Sequence, residues 1–251
     1  MGLQSVTNAV RVLKAFTAVT PEWGVSDLAR HLDLGKSSTH RLLATLNEER
    51  MVDQNPTTGR YRLGLAMFDL ASAVPRQLDL HEAVLAPMSA LRNQTGETVQ
   101  VAVLDGREVV YIERLDAPTT LRMFLEIGRR NSAHCSGTGK AILAFLPKDQ
   151  LDRLLKDWTL EAKTKFTITN TSMLRKDLNE ARRRGYATNR HEAEVGVLSV
   201  AAPVRDRSNA VVAALSVAGP AERMSPVERQ LAQLTMQTAA VISRRLGYHA
   251  N

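Results

Sequence analysis

The sequence predicts an α+β protein in two parts: a small N-terminal domain of helices closed by a β-hairpin, and a larger domain of antiparallel sheet flanked by helices. Three observations lead there. Two short helical patterns flank a tight turn between Val25 and Leu46. An Asn/Pro/Gly turn at Asn55–Gly59 then separates two short extended runs. From Thr98 onward the apolar period changes from helical to two.

The chain has 251 residues, room for one large domain or two small ones, and its hydrophobic content of 44% predicts a real core. No apolar run approaches the roughly 20 residues a membrane helix needs. Gln4, Thr7, Asn8 and Arg11 interrupt any signal-peptide pattern, and Cys135 is the only cysteine, so no intrachain disulfide forms. Together these predict a soluble, cytoplasmic protein with no membrane partner. The formal charge is +7. The first 74 residues hold eight Lys and Arg against seven Asp and Glu, so the excess lies later, at Arg129-Arg130, Lys163, Lys165 and Arg182–Arg184. Global charge therefore says little about a nucleic-acid partner, and local placement says more.

Ser5 to Phe16 reads as a capped helix with Val6, Ala9, Val10, Leu13 and Phe16 on one face. Pro21–Gly24 reads as a loop. Ser26 is the expected N-cap of the next helix, which turns Leu28, Ala29 and Leu32 inward. Leu34 and Gly35 break it, and Gly35 is expected to supply a positive φ. The following helix is predicted over Lys36–Glu49. Leu42, Leu43 and Leu46 point it inward, leaving Lys36, Ser37, Ser38, His40, Arg41 and Thr45 outward. Small hydroxyls let a helix approach base edges, and Lys and Arg neutralise phosphate or bond guanine, so this face suits a DNA major groove. The pattern is a helix-turn-helix with Lys36–Glu49 as its recognition helix. Ser26 and Thr39 join the candidate DNA-binding residues, although Thr39 reads equally as a cap or packing residue. Met51–Gln54 and Arg60–Leu63 form the hairpin, which makes the motif winged. Arg60 and Arg62 alternate with Tyr61 and Leu63, so both can share a solvent-facing or phosphate-facing side.

Gly64–Val74 reads as a helix ending before Pro75, and residues 79–94 read as another. Val99–Leu104 and Glu108–Glu113, around Asp105-Gly106, form a hairpin. Leu121–Ile127 is a third strand candidate, on which Arg122 could meet an acid or simply lie exposed. Helices are predicted at Gly137–Leu146, Leu151–Leu155 and Ser172–Arg184. Val197–Val204 and Ala210–Val217 are strands. Ser225-Pro-Val-Glu opens a last helix running to about Leu246, with Ser225 as N-cap. The sheet thus has five or six strands. The boundaries are 1–63 for the winged domain, 64–76 for a linker helix and 77–249 for the second domain.

Ser136-Gly-Thr-Gly-Lys140 looks like a phosphate loop, but His134 stands where such a loop needs its first glycine. A helix opening at Gly137 still presents free N–H groups and a positive dipole end, which suits a carboxylate. Cys135 beside His134 suggests nucleophilic chemistry, but no orienting acid is fixed. His134, His191, Glu192 and Glu194 could gather a metal, but fit no tight ligand spacing. Arg182–Arg184 reads as a solvated helix end, with contact to flanking DNA or an acidic partner as the alternative.

Taken in order, the chain resembles the IclR-type transcriptional regulators. The residues that carry this are Ser5 with Ala9–Leu13, Val25–Ala29, Gly35–Leu43, the wing Gly59–Gly64, Gly128-Arg129 with His134–Leu143, and Gly196–Val204. The resemblance implies an N-terminal DNA-binding domain and a C-terminal GAF-like effector domain. It implies homodimers, often paired as dimers of dimers, and small organic effectors, frequently carboxylates or aromatic acids. It places the effector against Gly137 and Thr138, facing Asn189, Ser199 and Ser216. Three positions depart from the family pattern: Arg50 replaces a glycine, Ser199 a cysteine and Asn189 an acid. The resulting expectation is a sequence-specific regulator of a metabolic or catabolic operon that binds operator DNA and a small acid, with no cofactor, no metal and no enzymatic activity. The alternative is a sensory enzyme or metal-dependent module using Cys135 and His134.

Overall fold

Val12, Leu28, Leu43 and Val52 are completely buried, and the N-terminal helices close around them. The computed structural model describes residues 2–17, 19–71, 80–118 and 127–249, and the chain divides into two units, Met1–Gln77 and Leu78–Asn251. The first unit contains α1 (Gln4–Ala15), α2 (Val25–Leu32) and α3 (Lys36–Glu48). Its hairpin, β2 (Val52–Gln54) and β3 (Tyr61–Leu63), gains a two-residue strand, β1 (Glu22–Trp23), so the antiparallel order is β1-β3-β2. β1 lies where Pro21 and Gly24 predict only a loop.

Several local expectations change here. Leu3, not Ser5, is at the N-cap of α1, and the helix enters the core through Val12 and Ala15, with Phe16 just beyond it. Val6 and Val10 instead remain 56% and 43% exposed. Gly24 is the N-cap of α2, so Ser26 lies inside its first turn. The left-handed residue between α2 and α3 is Asp33 (φ 54°, ψ 50°), whereas Gly35 is extended (φ −62°) and caps α3. A short polar side chain tolerates the left-handed region better than most, and the Leu34 N–H to Ala29 carbonyl bond of 2.9 Å closes the turn.

Arg50 does adopt the left-handed conformation that the missing glycine would have eased (φ 59°). The Met51 N–H donates to the Leu46 carbonyl at 2.8 Å and completes the C-terminal cap of α3. Gly64 holds this corner: its N–H donates to the Met51 carbonyl at 2.8 Å, and a Cβ on it would stand 2.2 Å from the Arg50 carbonyl oxygen. In the wing turn, Asn55 Oδ1 accepts from the N–H groups of Thr57 and Thr58, and Gly59 is left-handed (φ 68°). Residues 66–71 are helical (α4); the rest of the predicted linker helix falls within 72–79, outside the described residues.

The second unit is built on one antiparallel sheet of order β6-β5-β4-β9-β8-β7. The strands are β4 (Thr98–Asp105), β5 (Glu108–Leu115), β6 (Arg130–Ser132), β7 (Ala187–Arg190), β8 (Val197–Arg205) and β9 (Val211–Pro220). Strand alternation sorts its faces. Val99, Val101, Leu198, Val200, Leu215 and Val217 meet α5 (Leu80–Thr95) and α10 (Glu228–Arg245) on one side. Ala102, Ala201 and Ala214 meet α6 (Gly137–Phe145) on the other, where α7 (Lys148–Leu155) and α8 (Thr171–Arg184) complete the layer. Because those three residues are small, α6 lies close, and a Cβ on its Gly139 would stand 2.3 Å from the Ala133 backbone. The short strands β6 and β7 went unpredicted, and the candidate strand Leu121–Ile127 lies, apart from Ile127, outside the described residues. Ser225 is not a cap: it begins a 3-10 turn, Ser225–Val227, between α9 (Ala221–Met224) and α10, and its hydroxyl donates to the Ala221 carbonyl.

Gly64→Ala is expected to destabilise the first unit by about 1–3 kcal/mol, the usual range for forcing an atom into packed structure. Arg50→Gly is expected to stabilise it by about 1 kcal/mol through relief of the left-handed backbone. Urea denaturation of both variants against the parent chain checks the opposite signs.

Candidate functional site

The outward face of α3 carries Lys36, Ser37, Ser38, His40, Arg41 and Thr45, all exposed. Thr39 is corrected: it is fully buried in line with Leu43 and Leu46, and its hydroxyl donates to the Gly35 carbonyl at 3.1 Å. It secures the helix start and presents nothing outward. Ser26 is exposed on the first turn of α2. The two wing arginines differ in their partners. Arg62 is exposed between Glu22 and Asp53 in the strand register, whereas Arg60 precedes β3, donates to the Glu22 carbonyl at 3.2 Å and lies 3.9 Å from Asp27. Arg60 therefore ties the wing to β1 and α2.

In the second unit, a cavity of about 250 Å³ opens where α6 begins. Its floor is two rows of the sheet. Gln100 lies beside Ser216 in register, and Ser199 lies between Ala218 and Asn189. These residues share the sheet face with Ala102, Ala201 and Ala214, but here the side chains turn polar and the packing stops. Gly137 and Thr138 form the wall, so all five residues of the predicted effector set line one cavity. Ser136 caps α6, its Oγ accepting from the Gly139 N–H at 3.2 Å. The first-turn N–H groups of Gly137 and Thr138 have no acceptor within the helix. A Cβ on Gly137 would stand 2.5 Å from Ser199 Oγ, so glycine brings the helix start against β8. Asn189 Oδ1 accepts from the N–H groups of Glu192 and Ala193, which leaves the NH₂ end of this amide as its donor. Exposed Arg129, Lys163 and Glu194 line the cavity as well, two cations against one anion.

Two residues at the site lie outside the predicted set. Lys140 is 1% exposed, and its Nζ lies 2.7 Å from Glu192 Oε1 and 2.9 Å from Asp177 Oδ2. Burial raises the pKa of Glu192, opposed by the adjacent Lys140 ammonium. Gln100 is also 1% exposed, and its Nε2 has no hydrogen-bond partner among the described residues. The polar break in the apolar β4 run is the one clue to Gln100.

Cys135 is buried, and burial pushes its thiol up to about 11, so it stays protonated near neutral pH and is no nucleophile. His134 Nε2 lies 3.1 Å from the Glu161 carbonyl, its ring meets Trp158 edge-on, and burial lowers its pKa. Among the described residues no three of His, Cys, Asp and Glu gather to hold a metal. Arg182 donates to the carbonyls of Ala144 and Leu146 at the end of α6, Arg184 donates to that of Tyr186, and Arg183, paired with Glu180, points outward from this run. Arg122 lies outside the described residues.

A winged helix-turn-helix followed by an α+β domain with an enclosed polar cavity defines a transcriptional regulator of the helix-turn-helix class. Residues 5–56 match the IclR helix-turn-helix domain, and residues 72–244 match the bacterial transcriptional regulator IclR C-terminal domain. The chain belongs to the IclR family. It is 33% identical over 249 residues to the HTH-type transcriptional regulator XynR of Escherichia coli K12, covering 99% of each chain. It is 34% identical to the HTH-type transcriptional repressor AllR of Klebsiella pneumoniae, covering 98% of this chain and 91% of that one. Among solved structures it is similar to Thermotoga maritima IclR (TM-score 0.81, 28% identity, 98% and 100% coverage). It is also similar to an IclR homolog from Microbacterium hydrocarbonoxydans complexed with 4-hydroxybenzoate (TM-score 0.86, 26% identity, 96% and 98% coverage). These relatives are named as regulators, which does not favour the enzyme alternative.

Lys140→Met is expected to cost about 3–5 kcal/mol, because two carboxylates lose their buried partner; urea unfolding followed by circular dichroism measures it. Cys135 is expected to alkylate at pH 8 about 100-fold more slowly in the folded chain than in urea. Its thiol sits near 11 against an ordinary 9.0, and each unit removes tenfold of the thiolate. Equal rates would show an accessible, ordinary thiol.

Proposed function

We propose that this chain regulates a metabolic or catabolic operon from the cytoplasm by binding operator DNA as a homodimer, under the control of a small organic acid. The observation that carries the DNA reading is the exposed face of α3, where Lys36, Ser37, Ser38, His40 and Arg41 crowd the first turns with no bulky apolar residue among them. Ser37 and Ser38 let the helix approach base edges, Arg41 and His40 supply donors, and Lys36 and Thr45 meet phosphate. Ser26 and Arg62 add phosphate contacts from α2 and the wing, and Arg60 holds the wing for them. A dimer, or a dimer of dimers, places such helices in successive major grooves of a pseudo-palindromic site.

The small-acid reading rests on the cavity. First-turn N–H groups of α6, the Asn189 amide and the Ser199 and Ser216 hydroxyls converge there, and none of these side chains brings a negative charge. An acid bound against Gly137 and Thr138 meets the positive end of the helix. The 4-hydroxybenzoate in the Microbacterium homolog is a molecule of that class. Control requires that the acid favour one arrangement of the dimer's DNA-binding units over another.

Arg41→Ala is expected to weaken operator binding by about 1–3 kcal/mol if the side chain reads a base. If it meets phosphate, the same variant lowers the slope of log K against log salt by about one. Gel-shift titrations at several salt concentrations distinguish the two. An unchanged affinity and slope would remove α3 as the reading helix.

A further inference from the structure

Gln100 combines three observations. It is almost wholly buried, it lines the cavity, and its Nε2 meets no acceptor among the described residues. A buried donor left unmade costs about 1–3 kcal/mol, which an apolar side chain of the same length would avoid. The fold makes no demand for this amide. β4 is fixed by main-chain pairing to β5 and β9, and by Val99 and Val101 packed on the opposite face. A polar group kept at such a cost on a cavity wall awaits an acceptor from the cavity's occupant.

The position of Gln100 says which part of the occupant it meets. The start of α6 stands against Ser199 on β8, as the close approach of Gly137 shows. Gln100 lies on β4, two strands away across β9. At about 4.8 Å per strand that is roughly 10 Å at the backbone. Gln100 and its neighbour Ser216 thus stand on the part of the cavity floor away from the Gly137–Ser199 contact.

We propose that Gln100 is a specificity-determining residue, donating to a hydroxyl, keto or second carboxyl oxygen at the end of the effector remote from its carboxylate. The cavity then selects hydroxy, keto or dicarboxylic acids over plain aliphatic or aromatic acids. This rests on the reading of the cavity as an acid site.

The test is calorimetric titration of the full-length protein with two matched pairs, benzoate with 4-hydroxybenzoate and hexanoate with gluconate. The parent protein is expected to bind at least one hydroxylated probe about tenfold or more tighter than its partner, since a site built to bond an oxygen rejects the analogue lacking it. In Gln100→Met that ratio falls to within about threefold, with the Kd of the unsubstituted acid unchanged. The melting temperature of ligand-free Gln100→Met stays equal or rises, because an unmatched donor is gone. If it drops instead, Gln100→Leu, which has neither donor nor charge, must abolish the same preference. Parent protein that binds both members of a pair equally overturns the role of Gln100 and leaves the acid site standing, as does a variant that weakens both alike. Parent protein that binds none of the four acids overturns the acid site and this inference with it.

Discussion

The buried ammonium of Lys140 constrains the second unit more than any other single group. It sits one turn into α6 and meets Asp177 from α8 and Glu192 from the turn after β7. A lone charge there would be costly, and the two carboxylates offset that cost when the chain closes. Three elements distant in sequence are thereby fixed to one point. Glu192 then sets its own turn: its N–H donates to Asn189 Oδ1 at 2.8 Å, and the carbonyls of His191 and Glu192 accept from the hydroxyls of Thr164 and Thr167. Such a network adds little net stability over an apolar substitute, but it tolerates few alternative arrangements. What it specifies is where the cavity wall stands.

The cavity itself follows from the parity of the sheet. Residues of one parity carry Val and Leu toward α5 and α10. Those of the other carry alanines beneath α6 and, one row further, glutamine and serines. Small side chains draw the helix down, and its first turn then hangs over polar groups that it does not cover. The opening is a consequence of changing residue type along strands whose geometry continues unbroken. Its floor is main-chain ladder, while Arg129, Lys163 and Glu194 from the connecting segments complete its rim.

Much of this was legible in the sequence. The helix-turn-helix shows in helical spacing, the wing in an Asn/Pro/Gly turn, and the main hairpin in two β-rich apolar runs around Asp105-Gly106. The helix start at Gly137 shows in its cap, and the five cavity residues come through the family resemblance. What escaped depends on long-range partners. Lys140 stands in a helix whose sequence, Gly137–Phe145, does not reveal that Asp177 and Glu192 will converge on it. β6 and β7 are three and four mainly polar residues that become strands only because a longer neighbour offers them a ladder. Gly35 is the conventional residue for a left-handed turn, yet Asp33 takes that conformation. Thr39 looks like one more small hydroxyl on a reading helix, but its period matches Leu43 and Leu46, and the buried stripe claims it. The shifted face of α1 has the same origin, since several apolar stripes were available and tertiary packing chose among them.

β4 joins the two faces of the sheet within three residues. Val99 and Val101 pack in the cluster that holds α5, while Gln100 between them faces the cavity. α5 is in turn the first helix of the second unit, reached directly from the segment that leaves the DNA-binding unit. A side chain lying between two others on one strand cannot be displaced without moving them, because close-packed interiors transmit small shifts rather than absorb them. An occupant that pulls on Gln100 therefore acts on the strand to which α5 is fastened. Its influence on DNA binding is limited to the difference in its affinity for the two arrangements, typically 1–3 kcal/mol for coupled sites. A hydrogen bond from Gln100 to a neutral oxygen contributes about 0.5–1.5 kcal/mol net, the lower part of that range. If Gln100 chooses the ligand as proposed, the same strand carries its effect toward α5.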